Sequence, residues 1–146
     1  MRQAIEDFIS GKRVAVVGVS RSGKKFGNVI YTELKERGYE VFPVNAAVQE
    51  INGETCYPNI TALKDQIDGA VVCVPSEQSQ SVLKEAAEIG LKNVWLQQGA
   101  DTPELVKLGQ DLGLNMVSGK CVLMYAPPVR SFHAWHRAIA KLFGQL

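Results

Sequence analysis

Apolar and polar positions along the chain alternate between two kinds of segment. Residues 13–19, RVAVVGV, make a short, continuous, Val-rich run, as expected of a strand buried on both faces. Residues 29–38, VIYTELKERG, instead place Val29, Ile30 and Leu34 at helical spacing and stop at Gly38. The alternation continues, with strands predicted at 39–45, 69–75, 91–97 and 114–119. Helical segments at 60–67, 76–90 and 102–113 fall between them. Val82, Leu83, Ala86 and Ile89 share one face of the second of these. Thr102 as N-cap and Pro103 at the first helical position open the third, and Gly113 closes it.

Continuous apolar strands separated by amphipathic helices predict an α/β domain. The expected form is a doubly wound, five-stranded parallel sheet in the order 3-2-1-4-5, with helices on both faces. After the APP break at 126–128 a last helix is expected at about 131–144, with Phe132, Trp135, Ile139, Leu142 and Phe143 on one face. That apolar face suits the domain's own sheet, a second copy of the chain in a homodimer, or a protein partner. No linker, repeat or low-complexity tract interrupts the pattern. Residues 1–146 are therefore expected to form one domain, with its core at about 12–127.

Composition narrows the classes. The chain has 146 residues, 46% hydrophobic and 21% charged, enough apolar material for one sizeable core. A net charge of +1 gives no global field that would draw in nucleic acid or an anionic membrane. Positive charge is local: Lys12, Arg13, Arg21, Lys24 and Lys25 near one end, Arg130, Arg137 and Lys141 near the other. Cys56, Cys73 and Cys121 are widely spaced without a C-x-x-C pair, which signals reduced thiols and no zinc or disulfide framework. The opening MRQAIEDFIS is not a secretory leader, and no apolar run approaches the ~20 residues of a membrane span. The expected location is the cytoplasm.

In a doubly wound sheet, ligands bind beyond the carboxyl ends of the strands. The first such loop is the richest. GVSRSGKKFG, 18–27, carries Gly18, Gly23 and Gly27 for tight turns and close backbone approach. Ser20 and Ser22 add hydroxyls, Lys24 and Lys25 add charge, and the following helix turns free N–H groups toward an anion. A phosphate or diphosphate is the natural guest. Three readings compete. A P-loop needs Ser or Thr after Lys24 to hold magnesium, and the chain has Lys25; nor does a later strand end in an acid. A dinucleotide fingerprint needs Gly where Ser20 stands and an acid where Asn45 stands, which disfavours NAD more than NADP. A small NADP-type oxidoreductase or nucleotide-sensing protein stays open as the alternative.

The third reading is coenzyme A. The ordered combination of Gly18-Val19-Ser20, Pro43-Val44-Asn45, Val74-Pro75 and the WLQQGA stretch at 95–100 resembles the small stand-alone CoA-binding proteins. These are similar to the N-terminal CoA-binding domain of the succinyl-CoA synthetase α subunit. The resemblance spans about residues 12–127 and implies a Rossmann-like fold. It further implies that Gly18, Val19 and Ser20 line the diphosphate, with Lys24 or Lys25 holding phosphate. Pro43 and Asn45 would flank the adenosine, Val74 and Pro75 would pack on the adenine face, and Gln98 and Gly99 would approach the pantetheine. The chain departs from that family at Asn45, where the synthetases have Lys, and at Ala46, where Pro is common. The synthetases' phosphorylated His belongs to a second domain absent from this sequence, so the resemblance implies a CoA or acyl-CoA binding or regulatory module with no catalysis of its own.

Other chemistry is thinner. Cys121, beside Lys120, is a candidate for a mixed disulfide with the CoA thiol; a small buried side chain is the plainer reading. His133 and His136 stand at i, i+3 without an acidic or Cys neighbour, which suits a solvated or anion-facing patch better than a metal. Cys73 and Trp95 lie within apolar strands and are expected in the core. No catalytic triad or acid–base pair is readable.

Overall fold

The computed structural model describes residues 1–128. The helix expected at 131–144, with His133, His136 and its apolar face, lies outside the described residues. In chain order the elements are α1 (Arg2–Ser10), β1 (Arg13–Val17), α2 (Phe26–Glu36), β2 (Glu40–Val44), β3 (Glu50–Ile51), β4 (Glu54–Thr55), β5 (Gly69–Val72), α3 (Ser76–Glu88), β6 (Asn93–Gln97), α4 (Pro103–Asp111) and β7 (Asn115–Lys120). Short 3-10 turns occupy Ile60–Leu63 and Val122–Met124.

Five of the strands form one parallel sheet in the order β2-β1-β5-β6-β7. This is the doubly wound layout, with its reversal beside β1. The outer place beyond β2 shrinks to one parallel bridge between Val44 and Tyr57. Tyr57, bridged to Val44 of β2, stands in the outermost position of the 3-2-1-4-5 pattern. The strand at 69–72, read as third in the sequence, lies directly against β1 and begins the far half of the sheet.

Strand alternation sorts the core into two layers. Val14, Val16, Val71, Trp95 and Val117 point to the face covered by α1 and α2, where they meet Ile5, Phe8, Ile30 and Leu34. Ala15, Val17, Ala70, Val72, Val94 and Leu96 point to the other face, against Leu83 and Ala86 of α3 and Leu105 of α4. Both faces are dry, which is why the strands read as unbroken apolar runs. Trp95, expected in the core, is fully buried. Its ring meets Phe8 edge-on at 5.3 Å, and its indole N–H donates to the Lys120 carbonyl at 2.9 Å.

Two elements were not anticipated. Helix α1 has Ala4, Ile5, Phe8 and Ile9 on its buried face, a helical repeat inside a stretch read only for a leader signal. The β3–β4 hairpin turns on Asn52-Gly53, both at positive φ, the conformation a two-residue hairpin loop demands. Glu54 of the hairpin accepts a hydrogen bond from the Tyr31 hydroxyl at 2.6 Å and pairs with Lys35, fastening the hairpin to α2.

At the opposite end of the sheet, Asp68 ties β1 to the segment before β5. Its carboxylate accepts from the backbone N–H groups of Lys12 and Arg13 at 3.1 and 3.0 Å and from the Arg13 guanidinium at 2.9 Å. The guanidinium hydrogen bond holds the Asp68 carboxyl below its ordinary range.

Candidate ligand site at the carboxyl ends of the central strands

The sheet reversal leaves a crevice between the ends of β2, β1 and β5. Its centre is Gly18, at φ 117°, where β1 ends. A Cβ there would lie 3.0 Å from the Cys73 Cβ and backbone carbon, so the position takes no side chain without a shift. Gly27, in the first turn of α2, is tighter still. Its Cβ would meet the Gly18 oxygen at 2.5 Å. The two glycines let the loop pass between β5 and α2 at backbone contact distance.

Beside this crossing lies a cavity of about 570 Å³, within the roughly 300–1,000 Å³ usual for small-molecule sites. One wall is Val17, Gly18, Val19 and Lys25 from the first loop. A second is Val44–Ala47 after β2 together with Pro58, Asn59 and Ile60. The third is Cys73, Val74 and Pro75 after β5, continued by Glu77, Gln78, Ser81, Val82 and Glu85 along α3.

Of the residues singled out in the sequence, Gly18, Val19, Lys25, Asn45, Val74 and Pro75 meet at this cavity. Ser20, Lys24, Pro43, Gln98 and Gly99 are not part of its lining. Ser20 turns toward Asn28. Lys24 is exposed in the loop. Pro43 is buried inside β2, where its carbonyl accepts from Tyr57 N–H at 2.9 Å. Gln98 and Gly99 are exposed after β6, and the Gly99 N–H donates to Asp101 at 3.1 Å. The neighbouring Gln97 is buried and accepts from the Val122 N–H. Cys73, expected wholly in the core, is partly exposed and lines the cavity because the strand ends one residue before it. Burial pushes its thiol up to about 12, with a smaller contribution from nearby Cys121.

The α2 N-terminus is open. No side chain caps it, its first turn has no acid, and Lys25 stands at the N-cap. The N–H groups of Lys25, Phe26 and Gly27 have no partner among the described residues. Helix α4 differs: Thr102 accepts from the Leu105 N–H at 3.2 Å, as its sequence predicts. Helix α3 is held at its start by Ser79, whose hydroxyl donates to the carbonyls of Val74 and Pro75. That bond fixes the Val74-Pro75 wall.

Sequence reasoning missed Asn28, Asn59, Ser81 and Glu85. Asn59 carried a readable signal, since it caps the 3-10 turn through the Ala62 N–H at 3.0 Å. Asn28 reads as an ordinary helix residue until the loop folds over it. Ser81 and Glu85 lie on α3 one turn apart and reach the cavity only because Asn59 and Ile60 stand opposite.

A parallel sheet with a glycine crossing at its reversal defines a Rossmann-like domain. The comparisons make the class specific. The chain belongs to the CoA binding domain family, whose model matches residues 12–127, so coenzyme A is the cofactor of its class. It is similar to the α subunit of an ADP-forming acetate–CoA ligase II from Pyrococcus furiosus, 28% identical over 81% of this chain but only 28% of that subunit. The chain thus spans under a third of the length of that relative. It is also 28% identical to the Bacillus subtilis protein YneT, over 76% of this chain and 82% of that protein. Among solved structures, a conserved hypothetical protein from Pyrococcus furiosus superposes with a TM-score of 0.73 at 36% identity, over 77% of this chain and 97% of that one. No helix among the described residues is long and apolar enough to cross a membrane.

Proposed function

We propose that this protein binds coenzyme A or an acyl-CoA with its diphosphate at the 18–27 loop and its adenosine in the adjoining cavity, as a binding or regulatory module without catalysis of its own. The observation that carries the reading is the open start of α2. Three N–H groups without a partner among the described residues and the positive end of the helix dipole lie beside the glycine crossing, and Lys25 joins Gly18 in the cavity wall. A diphosphate satisfies all of them at once. The cavity walls suit an adenosine: Val44, Val74, Pro75, Ile60 and Val82 supply apolar faces, and Asn59, Gln78, Ser81 and Glu85 supply polar atoms. Burial pushes the titration of Cys73, the thiol in the lining, up to about 12. A protonated thiol is a poor nucleophile.

Thermal unfolding with CoA, NADP and ATP tests this. A ligand at a hundred times its dissociation constant stabilises by about 2.7 kcal/mol. For a chain of this size that raises Tm by roughly 5–10 °C. CoA is expected to give the largest shift. Equal shifts, or none, overturn the CoA assignment, and a shift with NADP alone replaces it.

A further inference from the structure

We infer that Asn28 is the positioning residue of the phosphate loop, and that Ser20 serves this clamp and does not contact the ligand. The inference rests on the CoA reading above and deepens it. Asn28 lies in the first turn of α2 and is buried at 9% exposure. Its amide oxygen accepts from the Ser20 N–H at 2.9 Å and from the Ser20 hydroxyl at 3.1 Å. Its amide nitrogen donates to the Ser20 carbonyl at 2.9 Å. Every polar group of Ser20 is therefore engaged by one side chain, with Ser22 completing the hydroxyl's bonds at 3.0 Å. From the other side, Asn45 donates to the Val19 carbonyl at 2.7 Å while accepting from Ala47 N–H at 2.8 Å. Two asparagines, from α2 and from just after β2, thus hold the Val19–Ser20 peptide group at both its carbonyl and its N–H, and Asn28 also holds the carbonyl that follows.

This arrangement has a chemical consequence. A diphosphate arriving at the loop finds the Ser20 donors spent and the Asn45 amide committed. Donors still open among the described residues include the N–H groups of Lys25, Phe26 and Gly27 at the start of α2, the Val19 N–H in the cavity lining, and the Lys25 ammonium. The clamp holds the loop where it enters α2, at the crossing of Gly27 with Gly18, before ligand arrives, which removes an ordering cost from binding. Asn45 contributes loop geometry here, through its bonds to Val19 and Ala47.

The test pairs an amide NMR titration of the wild-type protein with CoA binding to Asn28→Ala. On adding CoA, the Lys25, Phe26 and Gly27 amide resonances should move most and the Ser20 amide least. Asn28→Ala should weaken CoA binding by about tenfold or more at temperatures where both proteins are folded, and amide exchange at Ser20 should quicken. A merely structural role would lower Tm and leave the dissociation constant unchanged, which overturns the inference. So does a Ser20 amide that shifts most on titration, a readout that survives even if the variant fails to fold. A wild-type protein with no CoA affinity instead overturns the reading on which the inference stands.

Discussion

Gly27→Ala is the sharpest probe of the glycine crossing, because two principles give it opposite signs. In an exposed helix, Gly to Ala stabilises by up to about 1 kcal/mol, since Ala loses less backbone entropy on folding. At position 27 the added Cβ would stand 2.5 Å from the Gly18 oxygen, 2.8 Å from its carbonyl carbon and 3.2 Å from the Val19 nitrogen. All three are backbone atoms, so no side chain can swing away. An ordinary contact begins near 3.4 Å, and the closest pair is short by about 0.9 Å. Either α2 lifts from the sheet or the loop shifts toward Cys73, where Gly18 already has no spare room. Overpacking of this kind costs typically 1–3 kcal/mol, which outweighs the propensity gain. A Tm lower by roughly 3–10 °C is expected in thermal unfolding followed by circular dichroism. CoA affinity should fall as well, since the displaced atoms carry the anion donors. A Gly27→Ala protein as stable as the wild type, with unaltered CoA binding, would refute the close-crossing argument.

Two further outcomes follow from titrating groups. Asp68→Ala leaves two backbone N–H groups, of Lys12 and Arg13, without their acceptor, at roughly 1–2 kcal/mol in urea unfolding. The folded-state pKa of Asp68 lies below its ordinary 3.8, so its contribution is full above that pH and fades as pH falls through the folded value. The gap between wild type and variant should therefore close in acid; a gap that widened there would contradict the assignment. Cys73, with its thiol pushed up to about 12, should alkylate slowly with iodoacetamide at pH 8 and faster with rising pH, as mapped by mass spectrometry. Rapid labelling at pH 8 would show the thiol to be less buried than the geometry states.

The fold was legible because its strongest signals are local. β1, β5 and β6 are covered on both faces, so each reads as an unbroken apolar run, and α4 announces itself through Thr102 and Pro103. Strand adjacency was less legible. Which strand flanks β1 depends on long-range pairing, and the third place outside β2 survives only as the Val44–Tyr57 bridge, too short to leave a pattern. The misses at α1 and the β3–β4 hairpin have a different cause. Ala4, Ile5, Phe8 and Ile9 at helical spacing, and Asn52-Gly53 between Ile51 and Glu54, were both visible signals. The first sat in a stretch read only for a leader signal, and the second in a connection read as loop.

The site shows the limit of motif reading more clearly. Gly18, Lys25, Asn45, Val74 and Pro75 reach one cavity because strand ends are forced together by a parallel sheet, which topology alone predicts. What a motif cannot state is how a polar side chain spends its hydrogen bonds. Ser20 reads as a hydroxyl offered to phosphate, yet all of its polar groups are bonded to Asn28, eight residues on. Asn45 reads as a missing cation, yet its amide spans from Val19 to Ala47. Each such bond engages a donor that a motif would assign to the ligand, and an engaged donor is costly to recruit because a buried partner is left unpaired. On the site proposed above, anion binding by the loop rests less on the Ser20 hydroxyl and the Asn45 amide than on the N–H groups at the start of α2, which the sequence announces as a helix N-terminus whatever their side chains.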